Sequence, residues 1–493
     1  MKKLSQLIFN NSYRHLPAAL GTPLQPQPLS APFLVSINPQ ISHILELDPE
    51  QASSEQFINV FTGNETLNGF EPIAMKYTGH QFGQYNPDLG DGRGLLLGEI
   101  VTSQGKKWDL HLKGSGLTPY SRQGDGRAVL RSSIREYLAS AAMAGLGIKT
   151  THALAILSSN TPVYRETIER GATLVRVAES HLRFGHFEYL FYTNQHAELK
   201  ILADYLIKHH FPAINSETSD DHTRYSRMFQ QIVALTATMI ADWQAAGFAH
   251  GVMNTDNMSV LGLTFDYGPY GFMDDYNQGY ICNASDYAGR YAFNQQPSIA
   301  LWNLAALGYA LTPLISKDII ELTLDSYQPI FQSAYSQKMR DKLGLQQKQA
   351  QDTPLFAALF QLMGELHIDH TLFFRTLSTI PKQQLSSASP LFSELVTDIA
   401  PLAIWLNHYA KRLEVEQQPD PCRLVLMRNS NPKYILRNYL AQQAIDKADS
   451  GDFSMIEQLL TVLNSPYQEH RQFKHFAELP PQWGKELKIS CSS

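Results

Sequence analysis

A chain of 493 residues, 43% hydrophobic and 17% charged, can bury a large core and reads as an ordinary soluble globular protein with more than one lobe. Its formal net charge of −6 gives no electrostatic case for a nucleic-acid partner, and no apolar run approaches the length of a membrane span. Three cysteines make no disulfide framework and no zinc site; "MKKLSQLIFNNSYRHLP" is too broken for a cleavable signal, so the expected compartment is the cytoplasm.

Residues 1–69 read as an N-terminal extension. Its stretch "GTPLQPQPLSAPF" is rich in Pro, which disfavours helix and predicts an extended arm laid over the fold. Residues 70–170 are Gly-rich with short apolar runs. "GLLLGEIVT" and "KKWDLHLKG" flank "SQG" and predict a β-hairpin. Trp108, Leu110 and Leu112 alternate with Asp109, His111 and Lys113, the period-2 sign of a half-buried strand. "SSIREYLASAAMAG" predicts a helix with Ile134, Leu138 and Ala141 on one stripe, ended by Gly145. Over residues 171–330 a long helix carries Ile232, Leu235, Met239 and Trp243, with Gly247 as its stop, and "SIALWNLAALGYAL" is a second apolar helix. Residues 331–493 read as a helical C-terminal extension. The expectation is an α+β fold with a β-rich lobe, a helical lobe and a cleft between them.

Gly90, Gly92 and Gly94 in "LGDGRGLLLGE" sit at alternate positions where backbone amides can approach phosphate, with Arg93 in the same turn. A Gly-rich hairpin turn is the plain alternative. The tetrapeptide GDGR recurs at 124–127, which strengthens the phosphate reading. Lys113 ends a strand and Glu136 lies in the next helix, the pairing that holds phosphates in protein kinases. Alternatively, Ser133 and Glu136 form a capping box and Lys113 is a solvated strand end. Arg176 and Arg183 stand among apolar residues and need partners, either an internal carboxylate or a phosphate chain.

"HGVMNTDNMSVLGLTFDYGPYGF" (250–272) has the outline of a kinase catalytic loop followed by a metal-binding Asp-x-Gly turn. The kinase catalytic Asp lies five positions before the metal-binding Asn. Five before Asn257 is Val252, which cannot accept a proton. Asp256, Asn257 and Asp266 supply the hard oxygens that Mg²⁺ prefers, or else Asn254, Asp256 and Asn257 form Asx turns. The order of all these parts along the chain is that of a kinase.

These stretches, together with "YTGHQFGQYNPDLGDGRGLLLGE", "HLKGSGLTPYSRQGDGRAVLRSSIREYL", "VRVAESHLRFG", "RYAFNQQPSIALWNL", "NPKYILRNYLAQQAI" and "PPQWGKELKISCSS", resemble the SelO family, protein adenylyltransferases on a kinase-like fold. The resemblance runs from about residue 70 to the end. Its one departure is Gly94, where Ala is expected. It implies ATP bound flipped relative to kinases, with the γ-phosphate inward and the α-phosphate facing a protein hydroxyl. Lys113, Arg176 and Arg183 would hold the inner phosphates, with Glu136 positioning Lys113. Gly90, Gly92, Arg93, Asp125, Gly126 and Asp266 would line the nucleotide. Asn257 and Asp266 would bind Mg²⁺, and Asp256 would be the proton acceptor.

The implied partners are ATP and protein substrates, with no nucleic acid and no membrane; oligomeric state stays open. Rival readings are UTP with Mn²⁺, an ordinary kinase, and a non-catalytic nucleotide-binding scaffold. Cys491 stands where some family members carry selenocysteine, and Cys282 follows the Asp-x-Gly turn. They form either a redox-switchable disulfide or two unrelated thiols.

Overall fold

A computed structural model describes residues 1–490 apart from 219 and 397. The chain is mixed α and β, built on one antiparallel sheet of eight strands backed by helices. The strands are β1 (Gly21–Pro23), β2 (Phe33–Ile37), β3 (Ile73–Met75), β4 (Gly94–Val101), β5 (Lys107–Lys113), β6 (Ala128–Val129), β7 (His152–Tyr164) and β8 (Ile168–Ala178). Their spatial order is β1-β3-β4-β5-β8-β7-β2, with β6 also paired to β8. The expected hairpin is β4–β5, in a register that sets Leu96 opposite His111 and Gly94 opposite Lys113. The Pro-rich arm does more than lie over the fold, because β1 and β2 form both edges of the sheet. Strand β8 pairs with β5 and β7, so the boundary expected at residue 170 falls inside a strand.

The half-buried reading of β5 does not hold. Asp109, His111 and Lys113 are all buried. The reason is that the sheet is covered on both faces. Leu97, Leu110 and Leu112 pack against the N-terminal segment through Phe57 and Phe61. Leu96 and Leu174 belong to a second buried cluster that includes Ile134 and Leu138 of α1 (Leu130–Gly145). A polar side chain on this buried face must therefore find an internal partner, and this is how the fold builds its charged cluster.

Helix α1 lies on β7 and β8. Gly145 is its last helical residue rather than its stop; a Cβ there would lie 1.9 Å from the Leu463 carbonyl oxygen. Its glycine admits the C-terminal segment, and Gly147, with φ +77°, makes the turn. Beyond the sheet come α2 (Phe184–Tyr192), α3 (Asp221–Ala246) and α4 (Gln296–Ala310). Helix α3 is capped by the Asp220 carboxylate at its start and stopped by Gly247 in the left-handed region, φ +68°. From residue 317 on, the described chain is mainly helical and has its own apolar cluster around Met339, Phe356, Phe373 and Trp405. No helix among the described residues is long and apolar enough to cross a membrane.

Candidate active site

A cleft of about 570 Å³ opens between the Gly94–Lys113 end of the β4–β5 hairpin, the two GDGR turns and the loop that follows α3. At its inner end stands a buried ion network. Lys113 Nζ donates to Glu136 Oε2 at 2.5 Å, and Arg176 donates to both Glu136 oxygens. Arg176 also pairs with Asp266 at 2.9 Å, and Arg183 donates to the other Asp266 oxygen. The Arg183 guanidinium is sandwiched between the Tyr77 and Phe265 rings, 4.6 Å from each centroid. Burial alone would raise the Glu136 carboxyl, but Arg176 and Lys113 outweigh it and hold it at about 2. Burial pushes the Lys113 ammonium down to about 8, with Glu136 opposing.

This geometry decides three open questions. Glu136 is no cap: α1 begins at Leu130, and Ser133 donates its hydroxyl to the Val129 carbonyl. Lys113 is not a solvated strand end. The two arginines do have internal carboxylate partners, yet all three cations line the cleft as well. Three cations share two carboxylates here, which leaves surplus positive charge facing the cleft.

The loop after α3 is fixed from below. Trp243 donates Nε1 to Thr264 Oγ1 at 2.8 Å and stacks on His250, whose ring contacts the Phe265 carbonyl at 2.9 Å. The loop then makes one turn of 3₁₀ helix, Thr255–Asn257. Asx turns are absent from this segment. Asn254 Oδ1 instead accepts from the Tyr291 hydroxyl at 2.7 Å. The hairpin Gly79–Gln81/Gln84–Asn86 packs on the loop so closely that a Cβ at Gly79 would lie 2.9 Å from the Asp256 nitrogen. Gln81 Nε2 reaches Asp256 Oδ2 at 3.4 Å. Asp256 Oδ1 is buried and has no hydrogen-bond partner among the described residues. Burial pushes this carboxyl up to about 6, with Arg183 opposing. A buried carboxylate with one free oxygen, titrating close to neutrality, is a competent proton acceptor. Val252, five positions before Asn257, lines the same cleft.

The structure gathers Gly90, Gly92, Arg93, Lys113, Asp125, Gly126, Arg176, Arg183, Asp256, Asn257 and Asp266 around one cavity, with Glu136 behind Lys113. The glycines are not simply open amides. The Asp91 amide donates to the Met75 carbonyl and the Gly92 amide to Gly90. Gly90 is required because a Cβ would meet the Tyr120 ring at 2.7 Å, and its φ is +146°. Arg93 is exposed at the mouth. Asp125 pairs with Arg165 at 2.8 Å. Arg127, from the repeated GDGR, donates to the carbonyls of Gln27 and Pro28 and so clasps the N-terminal arm.

Two site residues escaped the sequence reading. Gln81 sits in "YTGHQFG" with no chemical signature of its own. Asp91 was hidden among glycines. It accepts from the Met75 amide at 3.1 Å and the Tyr77 hydroxyl at 3.2 Å and meets His111 Nε2 at 3.0 Å, which pins the first GDGR turn. His111 also explains Gly94, where the family pattern led to Ala. A Cβ there would lie 2.4 Å from His111 Cε1. Gly94→Ala is expected to push the imidazole off Asp91 and cost about 1–3 kcal/mol, read as a lower Tm. The double variant with His111→Ala should recover part of that loss.

Donor chemistry tests the expected metal. Among the described residues no group of three or more His, Cys, Asp and Glu could hold an ion by itself. Asn257 gives Nδ2 to the Val252 carbonyl at 3.0 Å, which leaves Oδ1 as an acceptor at the cleft. Asp266 adds a carboxylate from a left-handed backbone, φ +57°, a costly conformation typical of functional turns. Hard oxygens in this number suit Mg²⁺ or Mn²⁺ completed by phosphate oxygens.

Cys282 is buried, donates to the Ala249 carbonyl, and has its thiol pushed up by burial to about 12. The Ala284 amide nearby donates to the Ile489 carbonyl at 2.7 Å. Cys491 lies outside the described residues.

Comparison with known proteins gives this cleft a family. A sequence model described as protein adenylyltransferase SelO matches residues 3–464. The chain belongs to the SelO family. The match starts far earlier than residue 70, in keeping with the arm's two strands. A Photobacterium profundum protein named protein nucleotidyltransferase YdiU is 64% identical over the full length of both chains. A like-named Vibrio vulnificus protein is 54% identical over both full lengths, and one from Aliivibrio fischeri is 53% identical over 99% of each. The chain is thus an enzyme of the protein nucleotidyltransferase class.

Proposed function

We propose that this SelO protein transfers AMP from ATP to Ser, Thr or Tyr hydroxyls of target proteins on a two-lobed, kinase-like fold. The observation that carries the reading is Asp256: a buried carboxylate with one unpartnered oxygen, in the same cleft as Lys113, Arg176 and Arg183, while Val252 fills the kinase base's position. A kinase transferring the γ-phosphate would need its base at Val252. An adenylyltransferase needs it wherever the α-phosphate faces the acceptor.

In this reading the β- and γ-phosphates lie inward against Lys113, Arg176 and Arg183, and Glu136 keeps the first two in place. The acceptor hydroxyl gives its proton to Asp256 as its oxygen bonds to the α-phosphorus. The bond from that phosphorus to the bridging oxygen breaks, and pyrophosphate leaves. Asn257 and Asp266 would hold Mg²⁺ or Mn²⁺, which would add neutralisation of the phosphates when bound. Positioning and charge neutralisation are most of what phosphoryl chemistry asks of a protein.

The reading is tested with α-labelled and γ-labelled ATP in parallel, scoring label retained on protein. Label from the α position alone is the expected result. Label from the γ position would make the protein a kinase and reverse the nucleotide's placement. A parallel arm with α-labelled UTP and Mn²⁺ decides the base, since the relatives' name, nucleotidyltransferase, does not specify one.

A further inference from the structure

A second cavity, of about 150 Å³, lies away from the cleft, where the ends of α1 and α3 meet α5 (Tyr327–Lys342) and α6 (His370–Leu377). By liquid volume it holds about five waters. Lys342 lines it and is 5% exposed. Its ammonium lies over the Phe374 ring at 4.3 Å, and among the described residues it has neither a carboxylate partner nor a hydrogen bond. His370 lines the same cavity, with Nδ1 buried and unpartnered. Thr371 lies beside it.

The carboxylates on this wall are already engaged. Asp242 pairs with Lys338, and Asp341 accepts from Gln337 at 2.8 Å. Buried lysines almost always have a partner, because an unpaired ammonium in a protein interior is costly. Burial pushes the Lys342 ammonium down to about 7, with no anion opposing. A group that ionises near neutrality, lining a void beside His370 and Thr371, has no counterion of its own among the described residues.

We propose that this cavity is a binding site for a small oxyanion, a short carboxylate or inorganic phosphate, held by Lys342 Nζ with His370 and Thr371 as flanking donors. The site is independent of the nucleotide reading but sits at the root of the same loop. Ala245 and Ala246 line it, and Gly247 leads on to the strand Phe248–Ala249 and the Asp256 loop. A Cβ at Gly247 would come 3.0 Å from His370 Nδ1. A bound anion therefore braces the turn from which the loop springs.

Thermal melting of the full chain tests this, with the cleft saturated by a non-hydrolysable ATP analogue and Mg²⁺ so that its own cations are occupied. Sodium phosphate, acetate and chloride are titrated separately at constant ionic strength. The expected result is a saturable rise in Tm with phosphate or acetate, and none with chloride. The anion that gives the rise identifies the source. Lys342→Met, an apolar chain of similar length that the interior tolerates, should abolish the rise. Thr371→Val keeps the ammonium and should weaken the anion roughly tenfold or more. No saturable rise with either anion in the wild type, or an equal rise in both variants, overturns the site and leaves a water-filled cavity.

Discussion

Asp256→Asn is expected to lower AMP transfer by ~10²–10⁴-fold, the usual contribution of a positioned base, while nucleotide affinity stays unchanged. The substitution keeps the shape of the side chain. It leaves intact the 2.8 Å hydrogen bond from Arg183 to the Asp256 carbonyl, so the loop should hold its place. What is lost is the oxygen that takes the proton. The pH profile gives an independent reading. Only the ionised carboxylate accepts a proton, and burial places its titration at about 6. Wild-type kcat/KM should therefore climb as pH rises through that value and flatten above it. In Asp256→Asn the ascending limb should disappear. A variant that retained the wild-type rate would remove Asp256 from the reaction.

Glu136→Ala is expected to act on stability and binding together. Glu136 is the anion shared by Lys113 and Arg176, and all three are buried. Removing it strands a buried ammonium beside a buried guanidinium that keeps only Asp266. Breaking one side of a buried pair typically costs about 3–5 kcal/mol. Lys113 is the group most exposed to this change. Burial already pulls its ammonium down to about 8 with Glu136 opposing the fall, and without that support it should fall further. The variant should melt well below the wild type and bind ATP weakly. ATP should restore part of the lost Tm, because its phosphates replace the missing anion. A Glu136→Ala protein with wild-type melting and affinity would mean that the network is ornamental.

Where sequence and structure agree, the cause is local. The β4–β5 hairpin and helix α3 follow from short-range patterns and from their own turn and stop residues. Lys113, Glu136 and the Asp256–Asn257–Asp266 loop were legible because their types and order along the chain are those of a kinase. What escaped notice depends on distant packing. The polar side of β5 is buried because distant segments cover it, His181 and Asp91 over His111 and Asp109, and Glu136 of α1 over Lys113, so period-2 alternation gave the wrong environment for His111. Glycine at position 94 looked like an incidental departure until the His111 ring was seen beside it. Gln81 acquires its meaning from a contact 175 residues away. Lys342, deep in a helical region of unremarkable pattern, gave no signal at all.

The N-terminal arm sets a mechanical condition on the molecule. Its two strands sit at opposite edges of the sheet, six inter-strand steps apart. At about 4.8 Å per step, a flat sheet would separate them by roughly 29 Å. Ten residue steps from Pro23 to Phe33, at the polyproline rise of about 3.1 Å, reach roughly 31 Å. The segment is long enough for that span with little to spare, and its prolines favour the extended form. Curling of the sheet supplies the small slack that the turn at Ala31, φ 46°, takes up. The arm is thus a connection whose length matches the width it crosses. Midway it is gripped by Arg127 and by the Ser115 carbonyl, beside the cleft. Shortening it by a residue or two would draw on that grip before freeing an edge strand. The width of the sheet therefore dictates the length of a segment that looks, in the sequence, like a loose leader.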